Sequence, residues 1–162
     1  MSTLLHKSAA TAALAALLLA GCATTPSPKS IADTAASTPQ LSTLNRLITQ
    51  AGLTDTLRGP GPFTVFAPSD EAFKAVPAKT LADLGADKEL LRAVLTYHVV
   101  AGNVPAAAVK NGNVKTVNGA NLALSKSGTI VTVEDAVVLN ADVAATNGVV
   151  HVIDRVLLPP KR

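Results

Sequence analysis

The chain has no tryptophan, one tyrosine and three phenylalanines in 162 residues. Phe63, Phe66, Phe73 and Tyr97 are the whole aromatic set, so the core must be built from Val, Leu, Ile and Ala. No platform exists for stacking bases or sugars. Cysteine is equally scarce, with Cys22 alone, which excludes an internal disulfide framework. Charge is thin at 15%, and the net value of +3 is dispersed, with no basic run before Lys161-Arg162. That excludes the electrostatic footprint of a nucleic-acid binder. Signatures of catalysis are missing too. There is no Gly-x-Ser-x-Gly elbow, no Ser-x-x-Lys and no phosphate loop ending in Gly-Lys-Ser/Thr. Gly59-Pro60-Gly61-Pro62 is glycine-rich, but its prolines remove amides a phosphate would need, so it reads as a turn. Asp70-Glu71 are adjacent carboxylates that do not face each other on a helix start. Two histidines beyond residue 21 make no convincing zinc set, so neither a metal nor another cofactor is expected.

What is present begins at the N-terminus. Lys7 precedes an apolar run from Ala9 to Ala20, about 12 residues against the roughly 20 a membrane span needs. Leu19-Ala20-Gly21-Cys22 closes the run with small residues, as a secretory signal does. These four residues resemble the lipobox of bacterial lipoproteins. The resemblance implies residues 1–21 as a removed signal, a diacylglyceryl thioether on Cys22 and acylation of the new N-terminus. The membrane would then be a partner through that lipid. Ala23, rather than Asp, implies delivery to the outer membrane. Loss of Lys7 with the signal brings the net charge from +3 to +2. Residues 22–29, with Ala23-Thr24-Thr25-Pro26-Ser27-Pro28-Lys29, form a polar linker. Residues 30–162 suffice for one domain.

Within that domain a helix is expected near Ser30-Ile31. A second covers Leu41 to Ala51, with Leu44, Leu47, Ile48 and Ala51 on one face and Gly52 ending it. Phe63 to Phe66 reads as a strand. Ser69 is placed to cap the next helix, with Asp70 and Glu71 favourable to its dipole. Thr80 with Asp83 suggests a further helix start. Leu90, Leu91, Val94 and Leu95 form a helical stripe running into Tyr97-His98. Val114 to Val117 and Leu122 to Leu124, joined around Asn118-Gly119, predict a hairpin. Thr129 to Val133, Ala136 to Leu139 and Val149 to Leu158 read as strands, the last apolar on both alternations and so central. Helices first and strands later make the class α+β.

Three segments carry a family resemblance. Gly61-Pro62-Phe63-Thr64-Val65-Phe66-Ala67-Pro68-Ser69-Asp70-Glu71-Ala72-Phe73 resembles the first box of the fasciclin domain. Tyr97-His98-Val99-Val100 resembles its tyrosine-histidine motif. Asn147-Gly148-Val149-Val150-His151-Val152-Ile153-Asp154, with Val156-Leu157-Leu158-Pro159, resembles its second box. The resemblance covers about residues 30 to 160. It implies a wedge or sandwich of about seven strands with several helices packed on one side. It also implies a non-catalytic adhesion or interaction module with a protein or glycan partner. Thr64, Phe66, Pro68, Asp70, His98, Asn147 and Gly148 are its motif positions. In animal members the tyrosine-histidine motif and an Asp-Ile pair before the second box are implicated in integrin binding. The corresponding residues are Tyr97, His98, Asp142 and Val143, flanked here by Asn140-Ala141 and Ala144. Helical counting turns His98 inward, where Thr64, Ser69 and Asp70 are candidate partners for its ring. His151 lies inside the last strand and reads as a packed or edge-facing residue. The alternative function is a carrier of a small apolar ligand between helices and sheet, which a pocket above about 300 Å³ would favour. A hydrolase would need convergent acid, base and nucleophile.

Overall fold

The computed structural model describes residues 29–160. Cys22, the signal and all of the linker before Lys29 lie outside the described residues. Six helices come first in the chain apart from one strand: α1 (Ile31–Ser37), α2 (Ser42–Ala51), α3 (Thr54–Arg58), α4 (Asp70–Lys74), α5 (Ala78–Ala86) and α6 (Lys88–Tyr97). The strands are β1 (Phe63–Pro68), β2 (Val99–Ala101), β3 (Gly112–Lys115), β4 (Asn121–Ser127), β5 (Ile130–Val133), β6 (Ala136–Ala145) and β7 (Gly148–Ile153).

Local chemistry explains the helix ends. Ser30 Oγ accepts the Asp33 N–H at 3.3 Å and opens α1. Gly52 adopts φ 69°, the left-handed conformation that closes α2, and its N–H bonds back into the last turn. Ser69 Oγ takes the Ala72 N–H and opens α4. One start differs from expectation. α5 begins at Ala78 behind Pro77, so Thr80 lies inside it. Proline preorganises that entry without needing a capping hydroxyl. Asp87 is the cap of α6, its Oδ1 accepting from Glu89 and Leu90 N–H. On α6 the buried stripe is Leu91, Val94, Leu95 and Tyr97, whereas Leu90 is 38% exposed. The short helix α3 has too few turns for a readable period; only its Leu57 is buried.

The strands make one sheet in the order β2-β1-β7-β6-β5-β4-β3. β1 and β7 are parallel, in register from Phe63 opposite Gly148 to Pro68 opposite Ile153; every other pairing is antiparallel. A bridge between Val100 and Thr116 brings the two edges together, so the sheet almost closes into a barrel. Alternation along the strands sorts two cores. Val65, Ala67, Val150 and Val152 face the helices with Leu44, Ile48, Leu91 and Leu95. Phe66, Ile153, Leu122, Leu124, Val131 and Val133 fill the inside of the curl. β7 is therefore covered on both faces, as expected of a strand apolar on both alternations apart from His151.

That strand stops at Ile153 rather than Leu158. Beyond it Asp154 pairs with Val137, and Leu157 turns inward, buried in the second core. β6 in turn runs past Leu139 to Ala145, through irregularities between Val138 and Asn140 and between Asn140 and Val143. Such bulges break the two-residue alternation that a sequence reading follows.

Candidate functional site

The polar residues of the two boxes are chiefly pins between elements. His98 is 2% exposed at the end of α6. Its Nδ1 lies 2.7 Å from the Val94 carbonyl, and its Nε2 accepts the Leu157 N–H at 3.0 Å. An accepting Nε2 puts the proton on Nδ1, which donates to Val94. Burial pushes this imidazole down to about 4, only partly opposed by the Val94 carbonyl. The ring partners are thus Val94 and Leu157, in place of Thr64, Ser69 or Asp70. Each of those is occupied elsewhere. Thr64 Oγ1 donates to Gly102 O and accepts from Val104 N–H, tying β1 to the segment after β2. Ser69 caps its own helix. Asp70 reaches back to α2, where its carboxylate accepts the Ser42 hydroxyl at 2.7 Å and the Thr43 N–H at 2.8 Å. Burial works to raise this carboxyl, but the two donors outweigh it and hold it below the ordinary value. Phe66 and Pro68 are core residues.

His151, 1% exposed, ties two further segments and stacks on Phe66 with ring centres 5.5 Å apart. Its Nδ1 accepts the Asp142 N–H at 3.2 Å, and its Nε2 faces the Val104 carbonyl at 2.9 Å. Asn147 holds more than a turn. Its Oδ1 accepts the Ile31 N–H at the start of α1, and its Nδ2 donates to Leu57 O and Gly59 O. Gly148 follows at φ 152°, where a Cβ would lie 1.8 Å from the Phe63 carbonyl oxygen. No other residue allows β1 and β7 to meet so closely there.

Tyr97 and His98 offer no surface: both are buried. The Tyr97 hydroxyl donates toward Asn121 O at 3.2 Å and Glu134 Oε1 at 3.3 Å. Burial first, and the Glu134 carboxylate second, push its pKa above the ordinary tyrosine value and so disfavour ionisation. The other expected contact pair is only half available. Val143 packs partly buried against the helix-side core, whereas Asp142 is exposed on the bulge of β6. Asp142 has φ 57°, uncommon outside glycine. Its Oδ1 accepts the Ala106 N–H at 2.8 Å, and its own N–H is held by His151. Asn140, Ala141 and Ala144 are exposed beside it.

Among the described residues no three His, Cys, Asp or Glu side chains stand together as metal ligands. The apolar space between α2, α3, β1 and α6, lined by Leu44, Ile48, Leu57 and Val65, holds about 20 Å³. That is room for little more than a water and gives the carrier reading no support. Larger clefts are open and of mixed polar and apolar lining. One of about 500 Å³ lies by Tyr97, Glu134 and Arg155, another of about 450 Å³ by Pro60 to Pro62 and Thr146.

A nearly closed mixed sheet with helices on one side, its boxes spent on pins rather than on a reaction centre, is the architecture of a fasciclin domain. The fasciclin domain model matches residues 39–159, and the chain belongs to that family. Its structure is similar to the FAS1 domain pair of the insect cell adhesion molecule fasciclin I, with a TM-score of 0.60 and 27% identity. The likeness covers 75% of this chain and 46% of that one. Among relatives, Protein sll1483 of Synechocystis is 44% identical over 140 residues, covering 85% of this chain and 78% of that protein. Cell surface glycolipoprotein MPB83 of Mycobacterium bovis is 38% identical over 135 residues, covering 80% of this chain and 60% of that protein. Fasciclin domains are commonly adhesion-related and generally non-enzymatic. No helix among the described residues is long and apolar enough to cross a membrane.

Proposed function

We propose that the chain is a non-catalytic interaction module, held at the bacterial envelope by lipid on Cys22 and binding a protein or glycan through the segment Asn140 to Thr146. The observation that carries this reading is Asp142. An exposed carboxylate sits on a bulge, in a left-handed conformation, with its N–H fixed by the buried His151 and one oxygen fixed by Ala106. Preorganisation of this kind removes ordering cost from a contact. The second carboxylate oxygen has no hydrogen-bond partner among the described residues. The tether is supported by the lipobox resemblance of Leu19-Ala20-Gly21-Cys22 and by likeness to a protein named as a cell surface glycolipoprotein. Delivery to the outer membrane follows from Ala23 in the same reading.

The test is capture from the protein's own envelope with Asp142→Asn and, separately, Ala144→Arg. Asparagine keeps the acceptor and tolerates the left-handed backbone, and Ala144 is exposed, so circular dichroism should stay unchanged. Both variants lose a partner that the unaltered chain retains. Undiminished capture by both would place the recognition surface elsewhere.

A further inference from the structure

The second feature without a structural use is the 500 Å³ cleft at the other end of the sheet. Glu134 and Asp135 form the β5–β6 turn at its rim, and Glu134 has φ 52°. The Glu134 side chain is fixed. Its Oε1 takes the Ala123 N–H at 2.8 Å and the Tyr97 hydroxyl at 3.3 Å, and its Oε2 has no partner among the described residues. Asp135 and Arg155 line the same cleft, both exposed, and neither side chain makes a hydrogen bond or ion pair among the described residues. Leu158, 53% exposed, and Pro160 add an apolar rim.

We propose that this cleft is a carbohydrate site, taking a neutral sugar through a pair of its hydroxyls. The lining chemistry selects among ligand classes. A cationic side chain would meet Arg155, and an anion would meet Glu134 and Asp135. An apolar ligand would strip water from three charges without compensation. A vicinal diol satisfies both signs at once, donating to carboxylate oxygens while accepting from a guanidinium, and charge-assisted bonds of this sort are the strong ones. The C–H face of the ring covers Leu158 and Pro160. Since the chain has no exposed aromatic for stacking, hydrogen bonds to the anchored Glu134 and to the free Asp135 and Arg155 must carry the specificity. The cleft and the linker lie at opposite ends of β6: Glu134 and Asp135 precede the strand, and Thr146, whose N–H bonds to Lys29 O, follows it.

The experiment uses the full chain with Cys22→Ser in detergent micelles, which removes lipidation as a variable. Amide NMR shifts are followed during titration with glucose, galactose, methyl α-mannoside, N-acetylglucosamine, maltose and cellobiose. At least one sugar should give saturable, millimolar shifts at the amides of Asn121, Ala123, Glu134, Asp135 and Leu157, with Asn140 to Ala144 silent. Arg155→Ala, a change at an exposed side chain, should weaken that binding at least tenfold, as should Glu134→Gln. Absence of saturable shifts with all six sugars overturns the proposal. So does binding indifferent to Arg155→Ala, or shifts at these amides produced by trilysine or triaspartate but by no sugar.

Discussion

Acidification should weaken this domain through His98 before the carboxylates contribute much. In the folded protein the ring titrates at about 4, and its ordinary value is 6.5. The unfolded chain therefore takes up a proton near pH 6.5, while the folded chain, whose Nε2 is engaged by Leu157 N–H, resists until about 4. Between those values the unfolded state binds more protons, so stability is full above pH 6.5 and falls as pH drops toward 4. The gap is about 2.5 units, and at about 1.36 kcal/mol per unit the loss from pH 7 to pH 4 is about 3 kcal/mol. Asp33 and Asp70, both held below 3.8, give up stability at the acid edge of that window and beneath it. Urea unfolding at pH 7, 5.5 and 4 and constant ionic strength measures the slope. His98→Ala removes the titrating group, leaves the Leu157 N–H unpaired and costs about 1–3 kcal/mol at pH 7. Its stability should be nearly flat over the window, so the two proteins converge near pH 4. Parallel slopes for the two would refute the assignment of the acid sensitivity to His98.

Asn147→Ala removes one acceptor and two donations that join α1, α3 and the following turn, and should cost about 2–4 kcal/mol in urea unfolding; Asn118→Ala at the hairpin turn should cost under about 1. Gly148→Ala forces a Cβ into the Phe63 carbonyl and should cost about 4 kcal/mol or prevent folding, read as loss of the cooperative thermal transition. Tyr97→Phe should cost about 1 kcal/mol, since only the hydroxyl contacts with Asn121 and Glu134 go.

The legibility of this fold follows the range of its interactions. Gly52 and Ser69 act within one turn of themselves, so their roles could be read from neighbours. The two-faced burial of β7 was legible in a run apolar on both alternations and interrupted within the strand only by His151, and the inward turn of His98 in the spacing from Leu91 and Leu95. Pairings that close across the fold could not be read. The Nε2 partner of His98 lies 59 residues on, at Leu157, and the donor to Asn147 Oδ1 lies 116 residues back, at Ile31. Asp70 looked like an ordinary first-turn acid, yet it accepts the N–H of Thr43, 27 residues away. The far half of β6 was hidden because Asn140 to Asp142 bulge out of the alternating pattern. Asp142 itself was marked by the family motif, whereas the Glu134–Arg155 cleft has no sequence signature, because its members meet only through the β5–β6 turn and the segment after β7.

Display of the domain at the envelope hinges on lipid at Cys22. Metabolic labelling with an alkyne fatty acid, followed by mass spectrometry of the mature N-terminus, tests this directly. The mature chain should begin at Cys22, carry diacylglyceryl and N-acyl groups, and lose all label in Cys22→Ser. Label retained in that variant, or a mature protein beginning at another residue, would contradict it.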